Sequence, residues 1–491
     1  MTGVRPAAAD GQMSPAAGVR DAAEAGRPAW PRRAAERLAG LPPWAAAALG
    51  VLAWVAALAA VAPLVRGYLT GPPDQRLVDL DVYRTGGLSV LRGQPLYTML
   101  TQPPQLLPFT YPPAAALFAL PLAVLPWPAA QLAWVPFVYV PLAVVIWYAF
   151  APLLRRAGRL RPAAFAIVFA ACAYLFPVRD EMRFGQVDLV LLALAVADCA
   201  AREPRWPRGA LVGLATAIKL VPGVFVVYLW LSGRRRAALT AALVALAVTL
   251  GAWLLLPQDS VTYWTSAIFD SGRLGPNSGT SNQSLRGLLL RALLPWPPAA
   301  PGLPAGLPDV IWVVAAAAVA MAGFAAVRRL ARPPREPAAA GGQISPAAGG
   351  QAGPAAAGGQ ISPAAAGGQV GMEAIAVTAL IGVLASPVSW IHHYVVVVLV
   401  IGAILADGRS PRRVALAAGT AVYFVLTIPW WGQSLLGQRD VPVLAARVVQ
   451  DGFGLAALVL IGVLARLRAA ARRVPAGQSG RPSPGRPTWP A

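Results

Sequence analysis

LVDLDVYRTGGLSVLRGQPLYTMLTQPPQLLPFTYPP, residues 77–113, is the stretch around which the chain is organised. It comes soon after the first strongly apolar segment, Trp44–Val65, which is long enough to span a bilayer as a helix. The stretch concentrates carboxylates, guanidinium groups and phenols in a chain where only 12% of residues are charged. We therefore expect it to form a helical first outer loop, where the first spanning helix leaves the membrane.

The composition of the chain indicates an all-α polytopic membrane protein. Hydrophobic residues make up 57% of the sequence and the mean hydropathy is +0.58, more apolar surface than a soluble domain can bury. Cys172 and Cys199 both lie in apolar segments, which predicts small buried hydrophobes rather than a disulfide framework.

The net charge of +21 comes from arginines clustered between apolar segments. This is the pattern of cytoplasmic loops under the positive-inside rule. The chain has no soluble basic domain with interleaved aromatic residues, so nucleic acid is excluded as a partner. Clusters precede the first helix and follow the last one, at about 443–466, so both termini are expected in the cytoplasm. The pattern predicts about twelve spans in the plasma membrane.

Two intervals lie between cytoplasmic clusters but are only about one helix long. For Gly209–Ser232, either one cluster is outside or the segment is a helical hairpin that breaks near Lys219–Pro222. A proline inside a helix costs about 3 kcal/mol, which favours the break. Met372–Asp407 has the same problem and a candidate break at residues 386–393, SPVSWIHH. Broken helices within a membrane face protein or a water-filled cavity.

The interval Tyr111–Phe150 presents the opposite problem, since it has apolar residues for two segments but allows one crossing. We expect a short outer or re-entrant helix at Pro112–Leu125 and the true span at Ala129–Ala151. The membrane core is therefore divided into a first part at 44–336, with its outer loop at 67–111, and a second part at 372–468. A low-complexity cytoplasmic linker with GGQISPAA repeats, at 337–371, connects the two parts. Disordered cytoplasmic tails are expected at 1–43 and 469–491.

Asp79 and Asp81 are the first candidates for chemistry. Two residues apart, they would share a face on a strand but diverge by about 200° on a helix. A carboxylate just outside a membrane helix can act as general base for a sugar hydroxyl. A helix cap or a solvated loop charge is the competing interpretation. A metal site at the DLD sequence is a weaker one, because a lone carboxylate pair is an incomplete coordination shell.

His392 and His393 are the only histidines, and Lys219 is the only lysine. All three lie in apolar segments, where ionisable groups are costly and usually mark a polar cavity. One histidine can bind a phosphate while its neighbour orients it or packs; zinc is not expected, since no other Cys or His is near in sequence. Lys219 can pair with a phosphate, or extend to a membrane interface as the simpler alternative.

Further polar groups are candidates for phosphate and sugar-hydroxyl recognition. They are Arg183, Arg286 and the triplet Asn282–Gln283–Ser284, which also matches a glycosylation sequon, a short and common signal.

Seven motifs in this order resemble those of the actinobacterial polyprenyl-phosphate-mannose-dependent α-1,2-mannosyltransferases, the GT87 family. They are VDLDVYRTGG, GQPLY, LPFTYPP, RFGQVDLVLLAL, GLATAIKLVPG, NQSLRG and SPVSWIHHY. The resemblance extends from about residue 44 to residue 466. It implies a GT-C-type membrane fold, a polyprenyl-phosphate-mannose donor, a glycolipid or lipoglycan acceptor in an α-1,2 linkage, and transfer with inversion on the outer face. No cofactor or divalent metal is expected.

The resemblance also implies roles for individual residues. Asp79 matches the acidic residue expected as catalytic base, and Asp81 is expected to be supportive. His392, His393 and Lys219, with Arg183 and Arg286, are expected to hold the donor phosphate. The chain has Asp188 where relatives usually carry Asn. The remaining expected substrate-binding residues are Tyr83, Tyr111, Gln186, Asp188, Asn282, Gln283 and Trp390.

Two alternatives remain open from the sequence. A GT-C transferase could use another prenyl-linked sugar, such as arabinofuranose. A lipid-linked-sugar transporter would also have broken helices and charges at membrane depth, although the two halves of this chain show no matching repeats.

Overall fold

The computed structural model describes residues 40–72, 76–293, 306–331 and 371–472. In these ranges the chain is helical and has no β-strand beyond an isolated bridge between Leu100 and Pro108. The predicted all-α fold is confirmed. The two predicted tails and the low-complexity linker fall almost wholly outside the described residues.

The α-helices are, in chain order, α1 Pro43–Thr70, α2 Val78–Leu91, α3 Pro113–Phe118, α4 Leu120–Ala123, α5 Trp127–Ala149, α6 Ala151–Arg156, α7 Arg161–Ala173, α8 Phe176–Phe184, α9 Asp188–Ala200, α10 Ala210–Ile218, α11 Val224–Leu231, α12 Arg235–Leu255, α13 Pro257–Thr265, α14 Leu285–Leu293, α15 Leu307–Ala331, α16 Met372–Ala385, α17 Val397–Leu405, α18 Pro411–Val425, α19 Ile428–Leu435, α20 Val443–Gln450 and α21 Gly452–Arg472.

Four of these helices, α1, α5, α12 and α15, are long and apolar enough to cross a membrane. In α1, α12 and α15 only 17% of the most apolar window is buried, so most of their side chains face outward, as in lipid-facing helices. Helix α1 runs to Thr70, past the predicted end at Val65, and α5 lies within two residues of the predicted span.

Three further pairs of helices qualify as spans only when two bent halves are taken together. The bends are 71° between α7 and α8, 53° between α18 and α19, and 64° between α20 and α21. By length and composition the described residues therefore hold four spans, or up to seven with the bent pairs. The predicted count of about twelve is not confirmed, because several predicted spans are interrupted into shorter pieces.

Both predicted breaks are present. Helix α10 ends at Ile218, and a 3₁₀ turn at Val221–Gly223 precedes α11. Helix α16 ends at Ala385, and the chain continues in extended backbone before a 3₁₀ turn at Ile391–Val396. The predicted short helix at Pro112–Leu125 is also observed, as α3 and α4. These interruptions place polar side chains inside the helical bundle.

The last helix, predicted at about 443–466, is present as two halves, α20 and α21, which are bent by 64°. The helix is broken at Asp451, whose carboxylate pairs with the buried Arg291 guanidinium at 2.5 Å. The Gln283 side-chain oxygen accepts hydrogen bonds from the amides of Phe453 and Gly454, which satisfies donors in the first turn of α21. Polar side chains from a distant loop therefore compensate for the break.

Helices α16 and α17 form the centre of the molecule, with nearly all of their residues buried. A helix that is apolar on all sides is expected to be enclosed by other helices. Gly402 allows α17 to approach α5 closely, because a β-carbon there would lie 2.7 Å from the carbonyl oxygen of Ala149. The central helices fix the position of the segment 386–393 that connects them.

Candidate active site

A large cavity lies where the two helix breaks meet α2. Its empty volume is about 1360 Å³. Its ionisable and amide lining includes Asp79, Gln186, Lys219, Arg273 and His393. Apolar and aromatic side chains cover another part, including Val82, Leu107, Leu220, Val221, Tyr263 and Ile268. Such a mixture suits a ligand with a charged head and a hydrocarbon tail.

Asp79 lies in the first turn of α2, where a carboxylate is favoured by the helix dipole. Its Oδ2 accepts a hydrogen bond of 2.8 Å from Nε2 of Gln186. The Tyr83 hydroxyl donates to Oε1 of Gln186 at 2.8 Å, and the Tyr111 hydroxyl is 3.0 Å from that of Tyr83. The two phenols thus orient the amide so that its NH₂ group faces Asp79.

The surroundings of Asp79, which lies outside the candidate spans, favour a proton acceptor of increased basicity. Burial raises the pKa of the Asp79 carboxyl above its usual range, while the nearby His392 ring, the hydrogen bond from Gln186 and the Lys219 ammonium lower it, and burial dominates. A raised pKa makes the ionised carboxylate a stronger base once it forms.

Asp81 lies on the same helix but does not line the cavity. The helical backbone turns the two carboxylates about 200° apart, and Thr85 Oγ1 lies 3.4 Å from an Asp81 oxygen. The strand alternative for this pair is excluded by the structure, and the two carboxylates do not converge on a common position.

Lys219 and Asp188 form an ion pair between the ends of two helices. The ammonium nitrogen is 2.8 and 2.9 Å from the two Asp188 oxygens, and 3.1 Å from Nε2 of His393. Asp188 begins α9, while Lys219 follows the last residue of α10 in extended backbone. The ion pair holds Lys219, the only lysine of the chain, at the cavity wall. The Lys219 side chain therefore does not extend to a membrane interface, which was the simpler alternative.

One group of potential metal ligands occurs among the described residues. Ligand atoms of Asp188, His392 and His393 lie within 4.8 Å of one another. The Lys219 ammonium, however, donates to both Asp188 oxygens and to His393. A cation already occupies two of the three ligands, Asp188 and His393, so the set fits a bound metal poorly.

The two histidines have different positions. His393 lines the large cavity. His392 is buried beneath it, edge-on to His393 with ring centroids 4.8 Å apart and packed against Phe184. Within the described part of the chain neither ring nitrogen of His392 has a hydrogen-bond partner, and Nδ1 lies 3.5 Å from an Asp180 oxygen.

Neither of the two predicted phosphate-binding arginines lines the large cavity, although Arg286 contacts Ser271, which does. Arg286 pairs with Asp309 at 2.7 Å and contacts Ser271 Oγ at 3.1 Å. Arg183 lines a separate groove on the other side of His392. The sequence places both near the site but does not show which cavity they face.

Asn282 and Gln283 are completely buried and do not line the cavity. Asn282 Oδ1 accepts from the amides of Ser284 and Ser389, and Gln283 NH₂ donates to the carbonyls of Thr280 and Gln450. The Asn282 amide therefore connects the 276–284 loop to the segment that carries Trp390, and the Gln283 amide connects the same loop to the end of α20. Trp390, Tyr111 and Gln186 do line the cavity, whereas Tyr83 lies behind Gln186.

Sequence reasoning missed Arg273 and Asp270, which both line the large cavity. Arg273 donates to the carbonyl of Tyr97 at 2.7 Å, which fixes its guanidinium at the cavity wall. A signal was present, because Arg273 stands apart from the arginine clusters at 234–236 and 328–335, which the positive-inside rule explains.

Comparison with known proteins connects this geometry to a family. The sequence profile of Glycosyltransferase family 87 matches residues 109–344. A polyprenol-phosphate-mannose-dependent alpha-(1-2)-phosphatidylinositol mannoside mannosyltransferase of Mycolicibacterium smegmatis is 33% identical over 80% of this chain and 84% of its own length. The chain belongs to glycosyltransferase family 87. The predicted resemblance is confirmed, and the protein is a membrane glycosyltransferase of the GT-C type.

Other family 87 relatives carry similar names. A protein of Mycobacterium tuberculosis with the same name is 32% identical over 74% of this chain and 78% of its own length. A second one from that species, named as a phosphatidylinositol pentamannoside mannosyltransferase, is 30% identical over 73% of this chain and 74% of its length. No solved structure matches this chain.

Proposed function

We propose that this family 87 enzyme transfers mannose from polyprenyl-phosphate-mannose to a phosphatidylinositol mannoside, in an α-1,2 linkage with inversion. The observation that carries the proposal is that Asp79 and the Lys219–His393 pair line one cavity. A single displacement at C1 requires a base and a phosphate-binding group that face the same cavity. The names of the relatives supply the sugar and the acceptor class.

The donor phosphate binds at the basic end of the cavity. Lys219 and His393 provide N–H donors there, Arg273 provides further donors on the wall of the same cavity, and the apolar lining accommodates the first part of the prenyl chain. Asp188 shares Lys219, so a phosphate oxygen replaces one of the present partners of the ammonium. No cofactor or divalent metal has a role in this proposal.

The transfer is a single displacement. An acceptor hydroxyl gives its proton to Asp79 as its oxygen bonds to C1 from the face opposite the phosphate. The C1–O bond breaks, and its electron pair leaves with the polyprenyl phosphate, whose charge Lys219 and Arg273 stabilise. A phosphate leaving group needs no separate acid, so one carboxylate is enough.

The chemistry is proposed to occur on the outer face of the plasma membrane. The sequence supports this side, because α2 follows α1 and is therefore one span away from the N-terminal arginine cluster, which the positive-inside rule assigns to the cytoplasm. The arabinofuranose and transporter alternatives have no support among the relatives, which carry mannosyltransferase names.

Asp79→Asn is the direct test. Incubation of membranes with labelled polyprenyl-phosphate-mannose and a phosphatidylinositol mannoside should give labelled product with the wild type, and at least about 10²-fold less with Asp79→Asn. Asp81→Asn, on the same helix but off the cavity, is the matched control and should retain activity. Near wild-type transfer by Asp79→Asn would overturn the catalytic assignment. Movement of label across the membrane without product would favour a transporter.

A further inference from the structure

An open pocket lined by arginines lies between the loop that joins α9 to α10 and the start of α12. We call it the arginine pocket, and its empty volume is about 960 Å³. Four of its eight lining residues are arginines: Arg208 near the end of the loop, and Arg234, Arg235 and Arg236 at the start of α12. The pocket shares no residue with the large cavity, and the transfer step described above uses none of these arginines.

Neutral groups hold two of these arginines in place. The Arg208 guanidinium donates to the carbonyls of Asp198 and Ala201 at 2.8 and 2.7 Å. The Arg234 guanidinium donates to the carbonyl of Cys199 at 2.6 Å. A carbonyl partner fixes the direction of a guanidinium group but carries no net charge to neutralise it. Both groups are therefore oriented, and each keeps further N–H donors for an anion.

The positive charge of the pocket is not compensated within the part of the chain that the structure describes. None of the four arginines forms an ion pair there. The Asp198 carboxylate accepts instead from the Trp206 indole and from two backbone amides. Burial and the charge of Arg234 lower the pKa of the Arg208 guanidinium, as expected for cations held close together.

The start of α12 is an unfavourable place for cations. Arg234 is the N-cap residue, and Arg235 and Arg236 begin the helix. The N-terminus of a helix carries a partial positive charge, which favours acidic side chains and disfavours basic ones. This helix has no acidic residue in its first turn and no side-chain cap. An anion from outside the chain would relieve the repulsion.

The position of α12 indicates where such an anion comes from. The helix is one of the lipid-facing candidate spans, so its first turn lies at the membrane surface, close to the lipid phosphates. The positive-inside rule explains why arginines occur beside a spanning helix. It does not explain why two separate segments of the chain bring four arginines around one pocket.

An apolar stripe continues from the pocket along α12. Arg236 is followed on the same helical face by Leu239, Leu243 and Leu246, at spacings of three, four and three residues. These leucines, which we call the leucine stripe, are 58%, 55% and 53% exposed. Guanidinium groups above a row of exposed leucines match a ligand with a phosphate head and hydrocarbon tails. A soluble anion would leave the leucine stripe unused.

We propose that the arginine pocket binds the phosphate headgroup of an anionic phospholipid, whose acyl chains lie along the leucine stripe. Paired N–H···O bonds from the guanidinium groups hold the phosphate. The lipid thereby links the α9–α10 loop to the start of α12. The proposal concerns how the protein is anchored in its membrane, and it does not depend on which sugar the enzyme transfers.

Lipid binding by two double variants tests the proposal. The purified full chain in non-ionic detergent is titrated with dioctanoyl phosphatidylglycerol, and bound lipid is counted by native mass spectrometry. Arg235→Gln with Arg236→Gln should bind about 30-fold more weakly than the wild type, because each arginine near an anionic lipid contributes about a factor of five. Arg202→Gln with Arg205→Gln removes the same charge from exposed positions outside the pocket and should bind as the wild type does. Equal losses in the two double variants would overturn the proposal.

Two further ligands separate the charge of the headgroup from the tails. Dioctanoyl phosphatidylcholine has the same phosphate without the net charge, and glycerol phosphate has the phosphate without the tails. Both should bind the wild type more weakly than phosphatidylglycerol does. If either bound as tightly, the site would not be one for an anionic lipid.

Thermal unfolding in lipid-free detergent checks that the pocket variant folds. Arg235→Gln with Arg236→Gln should unfold at or above the wild-type temperature, because it removes cations from the positive end of the helix dipole. Weaker lipid binding together with a lower unfolding temperature would mean that the two arginines stabilise the fold by themselves, which contradicts the proposal.

Discussion

Gln186 connects the phenols of the site to its base. Its oxygen accepts from Tyr83 and its NH₂ group donates to Asp79, so the amide has one fixed orientation. A hydrogen bond to a carboxylate stabilises the charged form. Gln186 is therefore one of the groups, with His392 and Lys219, that limit how far burial raises the pKa of Asp79.

Gln186→Met should shift the pH profile of transfer. The raised pKa of Asp79 means that the active carboxylate is lost as the pH falls, so the wild-type rate has an acid limb. Removing the amide donor raises that pKa further and moves the acid limb to higher pH. The measurement is kcat/KM for transfer in membranes across the pH range.

The matched control for this experiment is Gln258→Met, at an exposed position. It should leave the profile unchanged. An acid limb at the same pH in Gln186→Met as in the wild type would show that Gln186 does not act on the ionisation of Asp79.

At the scale of elements, the two helix breaks create the basic end of the cavity. The break after α10 places Lys219 in extended backbone, and the break after α16 places His393 beside it. If the two helices were uninterrupted, each of these side chains would lie on a fixed face of a buried helix instead. The start of α9 then supplies Asp188, so three interrupted elements converge on one ammonium group.

Lys219→Met should reduce both stability and donor binding. The Asp188 carboxylate would lose its partner in a mostly buried position, at a cost of about 3 kcal/mol, and the cavity would lose a phosphate ligand. Adding Asp188→Asn should restore the thermal stability and leave the donor KM high. Asp188→Asn alone frees the ammonium from its counter-charge and should lower the donor KM severalfold.

Thermal unfolding of the purified protein and donor KM in membranes measure the two effects separately. If the double variant regained wild-type donor affinity, Lys219 would be a structural residue and not a phosphate ligand. If Asp188→Asn raised the donor KM, the ion pair would be needed to position the lysine.

The sequence predicts where the helices are interrupted better than it predicts which side chains the interruptions bring together. Prolines and the spacing of arginine clusters located the interruptions at 219–222 and 386–393, because backbone chemistry is local. Which side chains converge depends on packing between distant helices. For this reason Arg286 and Asn282 were expected at the site but point elsewhere, while Arg273 was missed. The break at Asp451 was missed too, since the partners Arg291 and Gln283 are far away in sequence.

At the scale of the whole molecule, the arginine clusters predict which loops are cytoplasmic, and the outer position of the cavity is a proposal that can be tested. The two native cysteines are both buried, so they give little background in surface labelling. Single introduced cysteines can therefore report on sidedness. Gln94 follows α2 and Glu203 follows α9, and both residues are exposed.

Gln94→Cys should react with a membrane-impermeant maleimide in intact cells, because the α2 loop is expected outside. Glu203→Cys should react only after permeabilisation, because it lies within an arginine cluster of the cytoplasmic kind. The extent of labelling is read by gel shift against the unmodified chain. Labelling of Glu203→Cys in intact cells, with Gln94→Cys protected, would invert the topology and put the reaction on the cytoplasmic face.

The ion pair between Lys219 and Asp188 has a consequence for the catalytic cycle. If the ammonium binds the donor phosphate as proposed, each arriving donor displaces a carboxylate oxygen from it, and the same carboxylate competes with the spent carrier phosphate. The protein therefore carries its own competitor for the phosphate site, which favours release of the used carrier lipid over its retention.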